Sequence, residues 1–123
     1  MKICVIGTGY VGLVSGTCFA ESGNEVICVD IDADKVNKMK SGVVPIYEPG
    51  LEVLFERNTK QGRLSFTTNL EEAIENAEII FLALPTPPGE DGSADLSYIL
   101  GVAEDLGKII KDYKVIIDKS TVP

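Results

Sequence analysis

Ile3-Cys4-Val5-Ile6-Gly7-Thr8-Gly9-Tyr10-Val11-Gly12 is the stretch that decides the fold. Its first four residues form a continuous apolar run, the pattern of a short strand buried on both faces of a parallel sheet. The next six spell Gly-x-Gly-x-x-Gly. Tyr10 to Ser22 then continues as a small-residue-rich, mostly apolar segment suited to a helix. A glycine hexad alone arises by chance, but between a strand and a helix each glycine has its own mechanical reason. Gly7 permits the tight turn out of the strand. Gly9 lets the backbone approach a pyrophosphate. Gly12 lets the helix pack close to the sheet, and Gly16, one turn on, extends that approach. The N–H groups of Tyr10, Val11 and Gly12 then face the phosphates, because no helical carbonyl reaches the amides of a first turn.

The second apolar run, Val26 to Val29, ends in Asp30, 18 residues beyond Gly12. A carboxylate at about that distance accepts hydrogen bonds from both hydroxyls of a ribose and repels a 2′-phosphate. Ile31 and Asp32 follow it, with no arginine. The expected cofactor is therefore NAD rather than NADP. Asp32 reads as the N-cap of a helix beginning at Ala33. On the residues alone, Lys35 reads as a solvated helix charge.

Two further apolar runs, Ile79–Leu84 and Val115–Ile117, predict strands, and the alternating Leu64–Thr67 predicts an edge strand. Helices are predicted over Ala33–Lys40, Pro49–Lys60, Asn69–Asn76 and Asp95–Asp112. The second of these has proline in its first turn and Leu51, Leu54 and Phe55 on one face. The third has Asn69 as N-cap with Glu71 and Glu72 behind it. Strand–helix alternation throughout means an α/β fold: a Rossmann-type, doubly wound parallel sheet of strand order 3-2-1-4-5, in one domain over residues 1–123. A complete dinucleotide-binding fold usually has six strands, so the expectation is a fragment of a longer enzyme, truncated before the sixth strand and left with an exposed sheet edge.

The charge balance, 19 acidic against 11 basic residues for a net −8, argues against a nucleic-acid partner. It leaves a single pyrophosphate open, since backbone amides can hold one whatever the global charge. The chain has no histidine, which removes His-based triads and His-containing zinc sites, and no metal is expected. Cys4, Cys18 and Cys28 show no CxxC spacing and read as reduced packing residues of a cytoplasmic protein. Met1-Lys2 does not open a secretory signal, and no apolar stretch approaches the roughly 20 residues of a membrane helix. The Pro85–Ser93 loop and Lys119-Ser120-Thr121 lie at strand exits. Each reads either as a polar connection, with Ser93 or Asp95 capping the next helix, or as a wall of a nicotinamide pocket, with Thr86 offering a hydroxyl.

Longer segments are more specific than the glycines: GTGYVGLVSGTCFAESGNEV (7–26), VDID (29–32), PIYEPGLE (45–52), GRLSFTTNL (62–70), PTPPGEDGSADLSYI (85–99) and DKSTVP (118–123). Together they resemble the N-terminal region of the UDP-glucose/GDP-mannose dehydrogenase family over essentially the whole chain. The resemblance implies oxidation of a nucleotide-sugar alcohol to a carboxylate in two hydride transfers, with NAD as cofactor. It also implies that a cysteine in the C-terminal half attacks the aldehyde, and that the thiohemiacetal is oxidised to a thioester and hydrolysed. The expected substrate is UDP-glucose, converted to UDP-glucuronate; GDP-mannose and UDP-N-acetylmannosamine are the neighbouring choices, and a non-catalytic NAD-sensing module is the alternative class. By position, the resemblance places Thr86 at the nicotinamide, Thr121 near a catalytic water, and Lys35 on the adenosine ribose. The nucleophilic cysteine, its supporting lysine, asparagine and aspartate, and most of the uridine-diphosphate site are expected beyond Pro123. The expectation is a segment that binds NAD without turnover, within a homodimeric enzyme.

Overall fold

The computed structural model describes residues 1–84 and 97–119. In chain order the elements are β1 (Lys2–Ile6), α1 (Tyr10–Glu21), β2 (Glu25–Val29), α2 (Ala33–Lys40), α3 (Leu51–Lys60), β3 (Leu64–Thr67), α4 (Leu70–Ile74), β4 (Ile79–Leu82), α5 (Ser97–Ile109) and β5 (Val115–Asp118). The strands form one parallel sheet in the order β3-β2-β1-β4-β5, as the strand–helix alternation predicts. β1 lies at the centre, with Ile3 beside Val26 on one side and Ile79 on the other.

Side-chain alternation along β1 divides the core. Ile3 and Val5 face a layer built by Leu13 and Ala20 of α1, Val36 and Met39 of α2, and Phe55 of α3. Cys4 and Ile6 face the opposite layer, where Ala73 and Ile74 of α4 and Leu106 of α5 pack. A strand with both faces covered must be apolar at every position, which is why the central runs lack alternation. β3 is an edge, and its Leu64 and Phe66 are buried while Ser65 is exposed. β5 is the other edge of the described sheet, and Val115 and Ile116 are 39% and 47% exposed.

Several boundaries differ from the predicted ones for local reasons. α3 begins at Leu51 rather than Pro49. Gly50 is left-handed, at φ 82°, and the Leu51 N–H donates to the Glu48 carbonyl at 3.0 Å, so Pro49-Gly50 forms a turn before the helix. α4 stops at Ile74, short of Asn76; the Ala77 N–H returns to the Ile74 carbonyl at 3.1 Å, closing the helix with a turn. β4 ends at Leu82, not Leu84, and α5 ends at Ile109 rather than Asp112. Asp32 and Asn69 do cap their helices, accepting from the Lys35 and Glu72 amides at 3.1 Å each.

Phe55 is fully buried, its ring 5.4 Å from that of Phe66. Phe55→Ala is expected to lower the unfolding free energy by about 3–5 kcal/mol in denaturant titration. Tyr47→Ala, at a residue 88% exposed, should leave it unchanged.

Candidate cofactor-binding site

The site is assembled at the C-terminal ends of β1 and β2, where open α/β sheets receive ligands. Gly7 leaves β1 at φ 104°, and its N–H donates to the Val29 carbonyl at 2.8 Å, which holds the loop against the end of β2. A Cβ on Gly7 would lie 2.2 Å from the Ala83 carbonyl oxygen. One on Gly12 would lie 1.9 Å from the Gly7 oxygen, and one on Gly16 would meet Cys28 Sγ at 3.0 Å. Gly7 and Gly12 are demanded by the protein's own packing, and Gly16 sits at a tight contact.

Gly9 is different. Its φ is −74°, open to any residue, and a Cβ there would meet nothing within 4 Å. The missing side chain leaves clear space at the N-terminus of α1, beside the exposed Tyr10 and Val11. No side chain caps that helix and its first turn holds no acid. The amides of Tyr10, Val11 and Gly12 and the positive end of the helix dipole therefore meet a cradle that a larger residue would fill, which fits a pyrophosphate.

Asp30 stands beside this cradle, its side chain 15% exposed. Its Oδ2 accepts from the Thr8 hydroxyl at 2.5 Å and from the Thr8 amide at 3.3 Å. Its Oδ1 accepts from the Asp32 amide at 3.0 Å, and Lys35 Nζ lies 3.6 Å from Oδ2. Burial alone would raise the acid's pKa. The Thr8 hydroxyl, the Asp32 amide and the Lys35 ammonium outweigh it and hold the carboxyl below its ordinary 3.8. Asp30 is thus an anion at neutral pH, as a ribose-diol acceptor must be. Its contribution to stability is present above the ordinary carboxylate range and is lost only as pH falls through the depressed value.

The structure brings Gly7, Gly9, Tyr10, Val11, Gly12, Asp30 and Lys35 together at the C-terminal end of the sheet. The reading of Lys35 as a merely solvated charge is corrected: its ammonium pairs with Asp30. Two residues there were given no role by sequence reasoning. Thr8 is one, although a hydroxyl inside the glycine hexad was a visible signal. Glu48 is the other, accepting from the Tyr10 hydroxyl at 2.5 Å; only the fold shows that the YEPGL segment reaches the glycine loop. Thr86 and Thr121, with Ser93, Asp95 and the 85–93 loop, lie outside the described residues.

The packing role expected of the cysteines holds for two. Cys4 and Cys28 are buried. Desolvation pushes the Cys4 thiol up to about 12 and raises that of Cys28 as well, so neither supplies a thiolate at neutral pH. Cys18 is exposed, because its position on α1 faces away from the sheet that Leu13 and Gly16 pack against. Among the described residues no group of three or more Cys, Asp or Glu could hold a metal ion, and no helix is long and apolar enough to cross a membrane.

The family model described as UDP-glucose/GDP-mannose dehydrogenase family, NAD binding domain, matches residues 1–123. The UDP-glucose 6-dehydrogenase TuaD of Bacillus subtilis is 55% identical over 99% of this chain and 26% of its own length. Among solved structures, the GDP-mannose dehydrogenase of Pseudomonas aeruginosa superposes with a TM-score of 0.95 at 37% identity, over 99% of this chain and 29% of that one. The UDP-glucose dehydrogenase of Pyrobaculum islandicum gives 0.93 at 40% identity, with the same coverage. The chain thus spans about a quarter of the length of the curated relative.

The contrast among the glycines is testable. Gly9→Val should fold, at a cost of about 1 kcal/mol for the altered cap, yet lose dinucleotide binding in calorimetry. Gly12→Val should fail in the thermal melt itself, since its Cβ has nowhere to go.

Proposed function

The chain belongs to the UDP-glucose/GDP-mannose dehydrogenase family as its NAD-binding domain, and from that premise we propose that it is the cofactor-holding part of an enzyme that oxidises UDP-glucose to UDP-glucuronate. The observation that carries the reading is the anchored, ionised Asp30 beside the open cradle at Gly9. UDP-glucose is favoured over GDP-mannose because the relatives that act on it by name are more alike in sequence, at 55% and 40% identity against 37%. With family membership in hand, no observation favours a non-catalytic sensor.

In this proposal the residues divide the work. The backbone of Gly7, Gly9 and Gly12 and the first-turn amides of Tyr10 and Val11 bind the pyrophosphate. Asp30 takes a hydroxyl of the adenosine ribose, and Lys35 sits at the same ribose. Thr86 flanks the nicotinamide, and Thr121 orders a water near the reaction centre. NAD, when bound, supplies the hydride acceptor. The thiol that holds the aldehyde is expected beyond Pro123; Cys4 and Cys28 are buried and protonated and do not supply it. The 123-residue segment alone is then a binder without turnover, and the full-length enzyme works as a homodimer in the cytoplasm.

The full-length protein given UDP-glucose and NAD should form about two NADH per sugar, the yield of an alcohol-to-acid oxidation. A yield of about one, or none, would contradict the reading. Asp30→Ala should weaken NAD binding by about tenfold or more, the scale of a lost hydrogen bond to a charged group. Because the carboxyl is held below 3.8, titrating Asp30 should not alter NAD affinity from about pH 5 upward.

A further inference from the structure

We propose that Thr8 is a specificity-determining residue of this site, tying one oxygen of Asp30 so that the other is left for the ribose and Lys35 stays paired. This rests on the reading of Asp30 as the ribose-binding group. Thr8 is 1% exposed, although it carries a hydroxyl. That hydroxyl has one proton to give, and it goes to Asp30 Oδ2 at 2.5 Å. The Thr8 amide meets the same oxygen at 3.3 Å, and Lys35 Nζ lies 3.6 Å from it. Two donors and a nearby ammonium therefore converge on Oδ2. Oδ1 accepts only the Asp32 amide among the described residues. A carboxylate oxygen has two acceptor positions, so Oδ1 keeps one for an incoming hydroxyl.

The arrangement does two things. It fixes the carboxylate's rotation, so the acceptor is aimed before the ligand arrives. It also sets a stationary anion against Lys35, the cation in ion-pair contact with Asp30 among the described residues. An unpaired ammonium there would welcome a 2′-phosphate. A paired one does not, and the anion repels it. Removing the Thr8 hydroxyl takes away the closest donor on Oδ2 and leaves the carboxylate held by the Thr8 and Asp32 amides alone, so it can turn and its hold on Lys35 loosens. Thr8 therefore acts through Asp30 as a positioning residue, with no contact to the cofactor required of it.

The test is to measure NAD and NADP affinities by calorimetry on the full-length protein and on Thr8→Val, Thr8→Ser and Thr8→Val/Lys35→Ala. Valine keeps the buried shape and loses the hydroxyl. It should lower the NAD-over-NADP ratio by about tenfold or more. Serine keeps the hydroxyl and should hold the ratio within about twofold, which a space-filling role would not require. The double variant should cancel the gain in NADP binding. A wild-type ratio in Thr8→Val, a tenfold fall in Thr8→Ser, or NADP binding that survives loss of Lys35 would each overturn the proposal. If Thr8→Val melts below the assay temperature, Thr8→Ala takes its place: a ratio lowered by about tenfold or more supports the proposal and a wild-type ratio overturns it. Asp30→Ala separates the two levels. If it binds NAD like wild type, the reading of Asp30 fails; if it is impaired while Thr8→Val is not, only the role of Thr8 fails.

Discussion

Gly12 packs on Gly7 so closely that a methyl on Gly12 would sit 1.9 Å from the Gly7 carbonyl oxygen, while Gly7 in turn has Ala83 against it. No side chain takes part in the contact, and most of the site's geometry follows from it. It presses the start of α1 onto the ends of β1 and β4. The start of α1 is thereby fixed at the C-terminal end of the sheet. The Gly7 N–H to Val29 bond brings the end of β2 to the same place. Asp30, the next residue, arrives within reach of Thr8 without any long-range strand distortion. Gly16 continues the close approach over Val5, Val26 and Cys28, so the helix that aims the amides is also one that closes a face of the core.

The electrostatics of the site are local. A chain of net charge −8 is a poor general attractor of anions. Yet the start of α1 offers uncapped amides, no acid in its first turn and a dipole end of positive sign. The Asp30 carboxylate is not free to compete for those amides, because Thr8, Asp32 and Lys35 hold it turned to their side. Phosphate attraction and ribose recognition are thereby kept apart on adjoining loops, each with its own donors or acceptors.

Much of this was legible in the residues. Continuous apolar runs at positions 3–6, 26–29 and 79–84 announce strands covered on both sides, and the alternating Leu64–Thr67 announces an edge. Both periodicities are properties of sheet geometry, so they survive in the sequence. Element ends were read less well, since they depend on backbone turns such as Pro49-Gly50, where proline's fitness for a first helical turn competes with its fitness for a turn before one. The glycine hexad and Asp30 were legible because their spacing is set by one strand–helix–strand unit. The partnership of Asp30 with Thr8, and of Tyr10 with Glu48, was not. Residues 22 and 38 positions apart meet only once the sheet order is built. The exposure of Cys18 was missed for a related reason: a helix rich in small apolar residues all round gives no sign of which side meets the sheet.

A crystal structure of the full-length protein soaked with NAD bears most directly on the central claim. The pyrophosphate should lie over Gly9 against the amides of Tyr10 and Val11, with an adenosine ribose hydroxyl on Asp30 Oδ1 and Thr8 still bonded to Oδ2. A bound dinucleotide whose adenosine ribose lies away from Asp30, or whose phosphates avoid the start of α1, would contradict it.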